Sequence, residues 1–153
     1  MIGHSVANML GKFENKYMIA SDNVAHVMSN NSAMHAAMVL VSVGYTSIPV
    51  LDKENHFVGT ISLANVMKQM FEDEVDLNDI QVVDIMDQRG QYLQVPFELE
   101  DVLHTLVDAN YVSVVNKDKV FLGILTRREF LKAFNYLAHE LEREYEVTSK
   151  SED

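Results

Sequence analysis

Along the chain, apolar residues recur at helical spacing in some stretches and form short continuous blocks in others, which separates helices from strands. Met9, Phe13 and Met18, with Val6 and Leu10, predict a short amphipathic N-terminal helix, assigned to residues 1–16. Val24 to Met28 reads as a short strand. Ser32 can cap a helix whose Met34, Ala37, Met38 and Val41 recur at helical spacing, and Gly44 ends it as a left-handed cap. Ile48 to Leu51 and Phe57 to Ile61 predict strands joined by the polar turn Asp52 to Asn55. Ser62 opens the next helix, with Val66, Met67, Met70 and Phe71 predicted to face inward. A second series starts near Val83. It has a helix with Leu99, Val102, Leu103 and Leu106 inward after Pro96, strands Val112 to Val115 and Val120 to Leu125, and a helix from Thr126 carrying Phe130, Leu131, Phe134, Leu137 and Leu141. Beyond Tyr145 the chain is polar and predicted to fray.

The two series are copies of one unit. Ile48-Pro49-Val50-Leu51-Asp52 through Gly59-Thr60-Ile61-Ser62 aligns without a gap on Val112-Ser113-Val114-Val115-Asn116 through Gly123-Ile124-Leu125-Thr126, 64 residues later. A unit of this size cannot bury its apolar face alone, so the copies are expected to pack as one pseudo-symmetric α/β domain. The predicted organisation is repeat 1 over 17–71, an acidic linker over 72–82, repeat 2 over 83–136 and a C-terminal extension over 137–153. The linker core, Glu72 to Asp79, has no glycine for a calcium-type loop and reads as a solvated connector.

Charge narrows the function. The 153-residue chain carries 12 Lys+Arg against 23 Asp+Glu, a net charge of −11, which argues against a general nucleic-acid binder. No apolar run reaches membrane-spanning length, and Met1 to Ser5 lack the basic start and apolar run expected of a signal peptide. The absence of cysteine excludes a disulfide framework and points to a reducing cytoplasm. The six histidines lack metal-binding spacing, no catalytic constellation occurs, and most of the nine methionines fall at core spacing. An enzyme is not expected, nor a bound cofactor or metal.

Pro-Val-Leu-Asp at 49–52 and Gly59-Thr60-Ile61-Ser62, with Asp84-Ile85-Met86 and Gly123-Ile124-Leu125-Thr126 in register, make residues 17 to about 134 resemble a tandem pair of CBS domains. The resemblance implies two pseudo-symmetric β-α-β-β-α repeats with flanking N- and C-terminal helices. Val24-Ala25-His26-Val27, Gly44 to Asp52 and Gly123 to Arg128 resemble, more narrowly, the small stand-alone CBS-pair proteins of Firmicutes that bind cyclic di-AMP. That likeness implies a homodimeric nucleotide sensor that signals to a protein partner, in some members a (p)ppGpp synthetase. Asn23 stands where that family carries a lysine.

Thr126 and Glu129 have the spacing of a capping box, which needs no ligand. Arg127 and Arg128 oppose the helix macrodipole unless an anion sits at that N-terminus, or they pair with the chain's own carboxylates. The resemblance favours phosphate; the alternative is a ligand-independent protein-interaction module, in which the arginine pair docks onto an acidic partner. Tyr45 and Thr46 offer a stacking face and a hydroxyl, or simple packing, and Ala25 leaves room for a base to meet backbone. AMP- and ATP-binding CBS pairs commonly grip the ribose with an Asp where this chain has Asn65 and Glu129, which favours cyclic di-AMP over AMP or ATP. The candidate ligand-binding set is Asn23, Val24, Ala25, Gly44, Tyr45, Thr46, Thr126, Arg127 and Arg128. Copy one has only Ser62, Leu63 and Ala64 opposite Thr126 to Arg128, so one charged cleft and one impoverished pseudo-site are expected.

Overall fold

The computed structural model describes residues 1–11, 17–72 and 74–150. The elements are α1 (His4–Gly11), β1 (Met18–Ala20), a turn of 3-10 helix (Ser21–Asn23), β2 (Val27–Met28), α2 (Ala33–Val43), β3 (Ser47–Leu51), β4 (Phe57–Ser62), α3 (Leu63–Glu72), α4 (Val82–Ile85), β5 (Tyr92–Gln94), α5 (Leu99–Asp108), β6 (Tyr111–Val115), β7 (Phe121–Thr126) and α6 (Arg127–Glu144). They form two sheets, ordered β2-β3-β4 and β1-β7-β6-β5. In each repeat a short strand pairs parallel with the central strand, which pairs antiparallel with the last one.

The repeats exchange segments. β1, at the start of repeat 1, pairs antiparallel with β7 of repeat 2. Asp87, from before β5, bridges Thr60 of β4 through N–H···O bonds of 2.8 and 3.0 Å. This crossing explains the motif glycines. A Cβ at Gly123 would fall onto the carbonyl oxygen of Ile19, and one at Gly59 onto that of Asp87. Each repeat therefore needs a glycine where its partner's lead-in strand passes over.

The hairpin turns interlock as well. The Phe57 N–H donates to the Lys119 carbonyl (3.0 Å) and the Phe121 N–H to that of Asn55 (2.8 Å), so the pseudo-dyad passes between the turns. Asn116 performs the work of Asp52. The Oδ1 of Asp52 accepts from the N–H groups of Glu54 and His56, and that of Asn116 from Asp118 and Val120. Each repeat has its own core, with Leu40, Ile48, Val50, Ile61 and Val66 in one, and Val102, Leu106, Val112, Val114 and Phe130 in the other. Leu10 and Tyr17 join the second core, and Val24, Leu51, Phe57, Val115 and Phe121 form a third cluster.

Four expectations are corrected. Met18 belongs to strand β1 rather than to the N-terminal helix, because three residues carry no local period and only β7 defines them. Val24 to His26 stay outside β2, since pairing with β3 covers only Val27 and Met28. On α2, Ala33, Ala36 and Leu40 face the sheet, while Met38 and Val41 are exposed. Met67, Met70 and Phe71 on α3 and Leu131 on α6 are likewise exposed. The helices carry more apolar residues than one sheet can cover, and the small alanines take the close-approach face. Phe13 lies outside the described residues.

Candidate functional site

A cavity of about 1200 Å³ opens between the repeats, larger than the roughly 300–1,000 Å³ of most small-molecule pockets. Eight of the nine candidate residues line it: Val24 and Ala25 ahead of β2, Gly44 to Thr46 ahead of β3, and Thr126 to Arg128 where β7 enters α6. Asn23, exposed at the end of the 3-10 turn, is not part of the wall. Gly44 has the left-handed conformation expected of a cap (φ 72°), and its N–H donates to Leu40. That cap turns the chain so that Tyr45, 58% exposed, stands at the cavity mouth.

The two arginines are not equivalent. Arg127 donates from Nε to the Leu106 carbonyl (2.8 Å) and from Nη2 to that of Val107 (3.1 Å), and its backbone N–H donates to Asn110 (2.8 Å). The Leu106 and Val107 carbonyls belong to the last turn of α5, whose C-cap residue is Ala109 rather than a glycine, so the guanidinium supplies a C-cap that α2 obtains from Gly44. Arg128 is exposed, and its guanidinium makes no hydrogen bond or ion pair among the described residues. The first amides of α6 divide similarly. That of Arg127 goes to Asn110 and that of Glu129 to Thr126 Oγ1 (3.3 Å), which leaves that of Arg128 without a partner among the described residues. A neutral cap and one free cationic residue thus share a helix N-terminus, a combination suited to an anion.

The capping box expected at Thr126 is only half formed, because the Glu129 carboxylate is engaged by Lys132 Nζ at 3.2 Å. The full reciprocal arrangement occurs in repeat 1. There Ser62 Oγ accepts from the Asn65 N–H, and Asn65 Oδ1 accepts from the Ser62 N–H and hydroxyl. Both side chains at the ribose-clamp positions are therefore committed within the protein.

Arg89 stands outside the candidate set. It lines the same cavity from the segment between α4 and β5, and Asn110 and Tyr111 join it there. The expected pseudo-site, where Asn110 and Tyr111 stand as counterparts of Thr46 and Ser47, is consequently not bare of charge. Nothing local marked Arg89; its only signal was scarcity, as one of four arginines in the chain. Three of those four line one cavity. Among the described residues no group of three or more His, Asp or Glu side chains could hold a metal ion, and no helix is long and apolar enough to cross a membrane.

A CBS-domain model matches residues 17–72 and 82–136, each match containing one copy of the sheet and its motif glycine. The chain belongs to the CBS-domain family. It is a tandem CBS protein and resembles small cyclic di-AMP-binding members. It is 33% identical over 129 residues to cyclic di-AMP receptor B of Bacillus subtilis (strain 168), covering 78% of this chain and 84% of that protein. Its fold superposes on the crystal structure of CbpB from Streptococcus agalactiae with a TM-score of 0.89 at 28% identity, over 97% of this chain and 96% of that one. Listeria monocytogenes CbpB in complex with c-di-AMP gives a TM-score of 0.76 at 36% identity, over 83% and 98% of the two chains.

Proposed function

We propose that this CBS protein is a non-enzymatic sensor that binds cyclic di-AMP in the inter-repeat cavity and reports occupancy to a protein partner in the cytoplasm. The observation that carries the reading is the gathering of three of four arginines onto one cavity of a chain with net charge −11. In this reading Arg128 and Thr126 hold phosphate, with Arg127 contributing the guanidinium N–H groups that α5 does not use. Tyr45 stacks on an adenine, Thr46 adds a hydrogen bond, and Ala25 leaves space for the base edge. The relatives named for cyclic di-AMP, or solved with it bound, support this choice of ligand. So do the committed side chains of Asn65 and Glu129, since neither is free to grip the ribose diol of AMP or ATP.

The exposed apolar face of α2 and α3, where Phe71 is 76% and Val41 71% exposed, is proposed to be covered by a second copy, making a homodimer. Phe71→Glu should then yield monomers in light-scattering measurements; an unchanged mass would exclude that face. The family resemblance makes a (p)ppGpp synthetase the first partner to test. Calorimetric titration with cyclic di-AMP, AMP and ATP tests the ligand. Saturable heat with the cyclic dinucleotide, at least tenfold weakened by Arg128→Ala, is expected. Micromolar AMP binding with no heat from cyclic di-AMP would refute the assignment.

A further inference from the structure

Ser47 and Tyr111 are 64 residues apart, the repeat offset, and their hydroxyls lie 3.3 Å from each other. Residues that touch their own repeat counterpart straddle the pseudo-dyad, so this pair stands where the two halves of the cavity meet. At that point the symmetry fails in size: repeat 1 contributes a serine, and repeat 2 a phenol that reaches across to it. Burial raises the Tyr111 pKa, as expected of a ring held between walls.

The strand floors beneath differ in the same sense. By strand alternation Tyr111 and Ser113 share one face of β6, opposite the core-facing Val112 and Val114. Pro49, the counterpart of Ser113, lines the cavity. Ser113 does not; it is fully buried and its Oγ has no hydrogen-bond partner. Yet repeat 2's half retains what a nucleotide would use, with Arg89 for phosphate and the chain at Gly90 and Gln91 along its edge.

We infer that Tyr111 is the residue that limits the cavity to one adenine nucleotide ligand, by roofing the Ser113 floor and leaving the Pro49 half open. This rests on the proposed adenine-nucleotide binding and adds its stoichiometry. The repeat-1 half has only Ser47 at this position, so removing the phenol makes the two halves alike.

Calorimetry on the full chain, with cyclic di-AMP and AMP as probes and a thermal melt as the folding check, tests the inference. Wild-type protein should bind one cyclic di-AMP per protomer. Tyr111→Ser should open the second half, seen as a second site or as AMP affinity at least tenfold higher. Tyr111→Phe keeps the ring, loses only the bond to Ser47, and should keep the wild-type stoichiometry. Two ligands per wild-type protomer, or a folded Tyr111→Ser protein with wild-type stoichiometry and AMP affinity, would overturn the role of Tyr111 alone. Wild-type protein that binds no adenine nucleotide would instead refute the underlying functional reading.

Discussion

Repeat 1 and repeat 2 share a backbone plan but meet its local demands with different chemistry. Repeat 1 ends α2 with a left-handed glycine, caps α3 with a Ser62–Asn65 pair and turns its hairpin on a carboxylate. Repeat 2 ends α5 with a borrowed arginine, caps α6 with a threonine and turns on an amide. The difference teaches that duplicated positions keep a geometric role while exchanging the group that fills it. An arginine can therefore belong to the scaffold in one place and remain free for a ligand one residue later.

The largest test of shared geometry is at the crossing strands. Gly123→Ala or Gly59→Ala places a methyl group on a backbone carbonyl, which cannot yield as a flexible side chain would. Each should cost on the order of 3 kcal/mol in denaturant unfolding. A normally stable Gly59→Ala protein would show that repeat 1 does not need the crossing that repeat 2 needs.

The arginine pair comes next. Arg127→Ala removes both side-chain bonds to α5 and should lower stability by roughly 1–2 kcal/mol, the charge-assisted value reduced for partial exposure. Arg128→Ala should leave the melting temperature unchanged and affect only ligand binding. Equal thermal losses for the two would break the division of labour drawn between them.

A smaller effect is expected at Ser113. Ser113→Ala removes an unpaired buried hydroxyl and should be neutral or stabilising by up to about 1 kcal/mol in the same assay. Clear destabilisation would reveal a partner for the hydroxyl.

The smallest effect concerns pH. Burial tends to raise the Asp52 carboxyl, but hydrogen bonds from the His56 and Glu54 N–H groups and the His56 ring outweigh it and hold the pKa below the ordinary carboxylate value. A depressed folded pKa contributes stability above the unfolded value of about 3.9, and that contribution is lost as pH falls through the lower folded value. Asp52→Asn, which copies the acceptor of Asn116, should keep the turn and flatten the acid limb of melting temperature against pH. An unchanged acid limb would assign that sensitivity to other carboxylates.

The hairpin strands, the longer helices and the repeat were legible because apolar blocks, glycines and cap residues act locally, whereas the three-residue strands β1 and β5 carry no such pattern. Gly44 illustrates this, since its position after an apolar helical run already specifies a left-handed cap. The misplaced helix faces show the limit. Periodicity reveals that α2 has an apolar side, but only packing determines that Ala33 and Ala36, rather than Met38, approach the sheet. The candidate site was half legible for the same reason: Thr126 to Arg128 form a contiguous signal, whereas Arg89 is 38 residues away from Arg127 along the chain.

By itself, the sequence determined the duplicated α/β plan, the motif glycines and the scarcity of positive charge, because all three are properties of residue order and composition. Only the tertiary structure decided that the lead-in segments cross between repeats, that Arg127 caps α5, and that Tyr111 meets Ser47 on the pseudo-dyad. Those outcomes depend on which distant groups reach hydrogen-bond distance, and no local pattern encodes that.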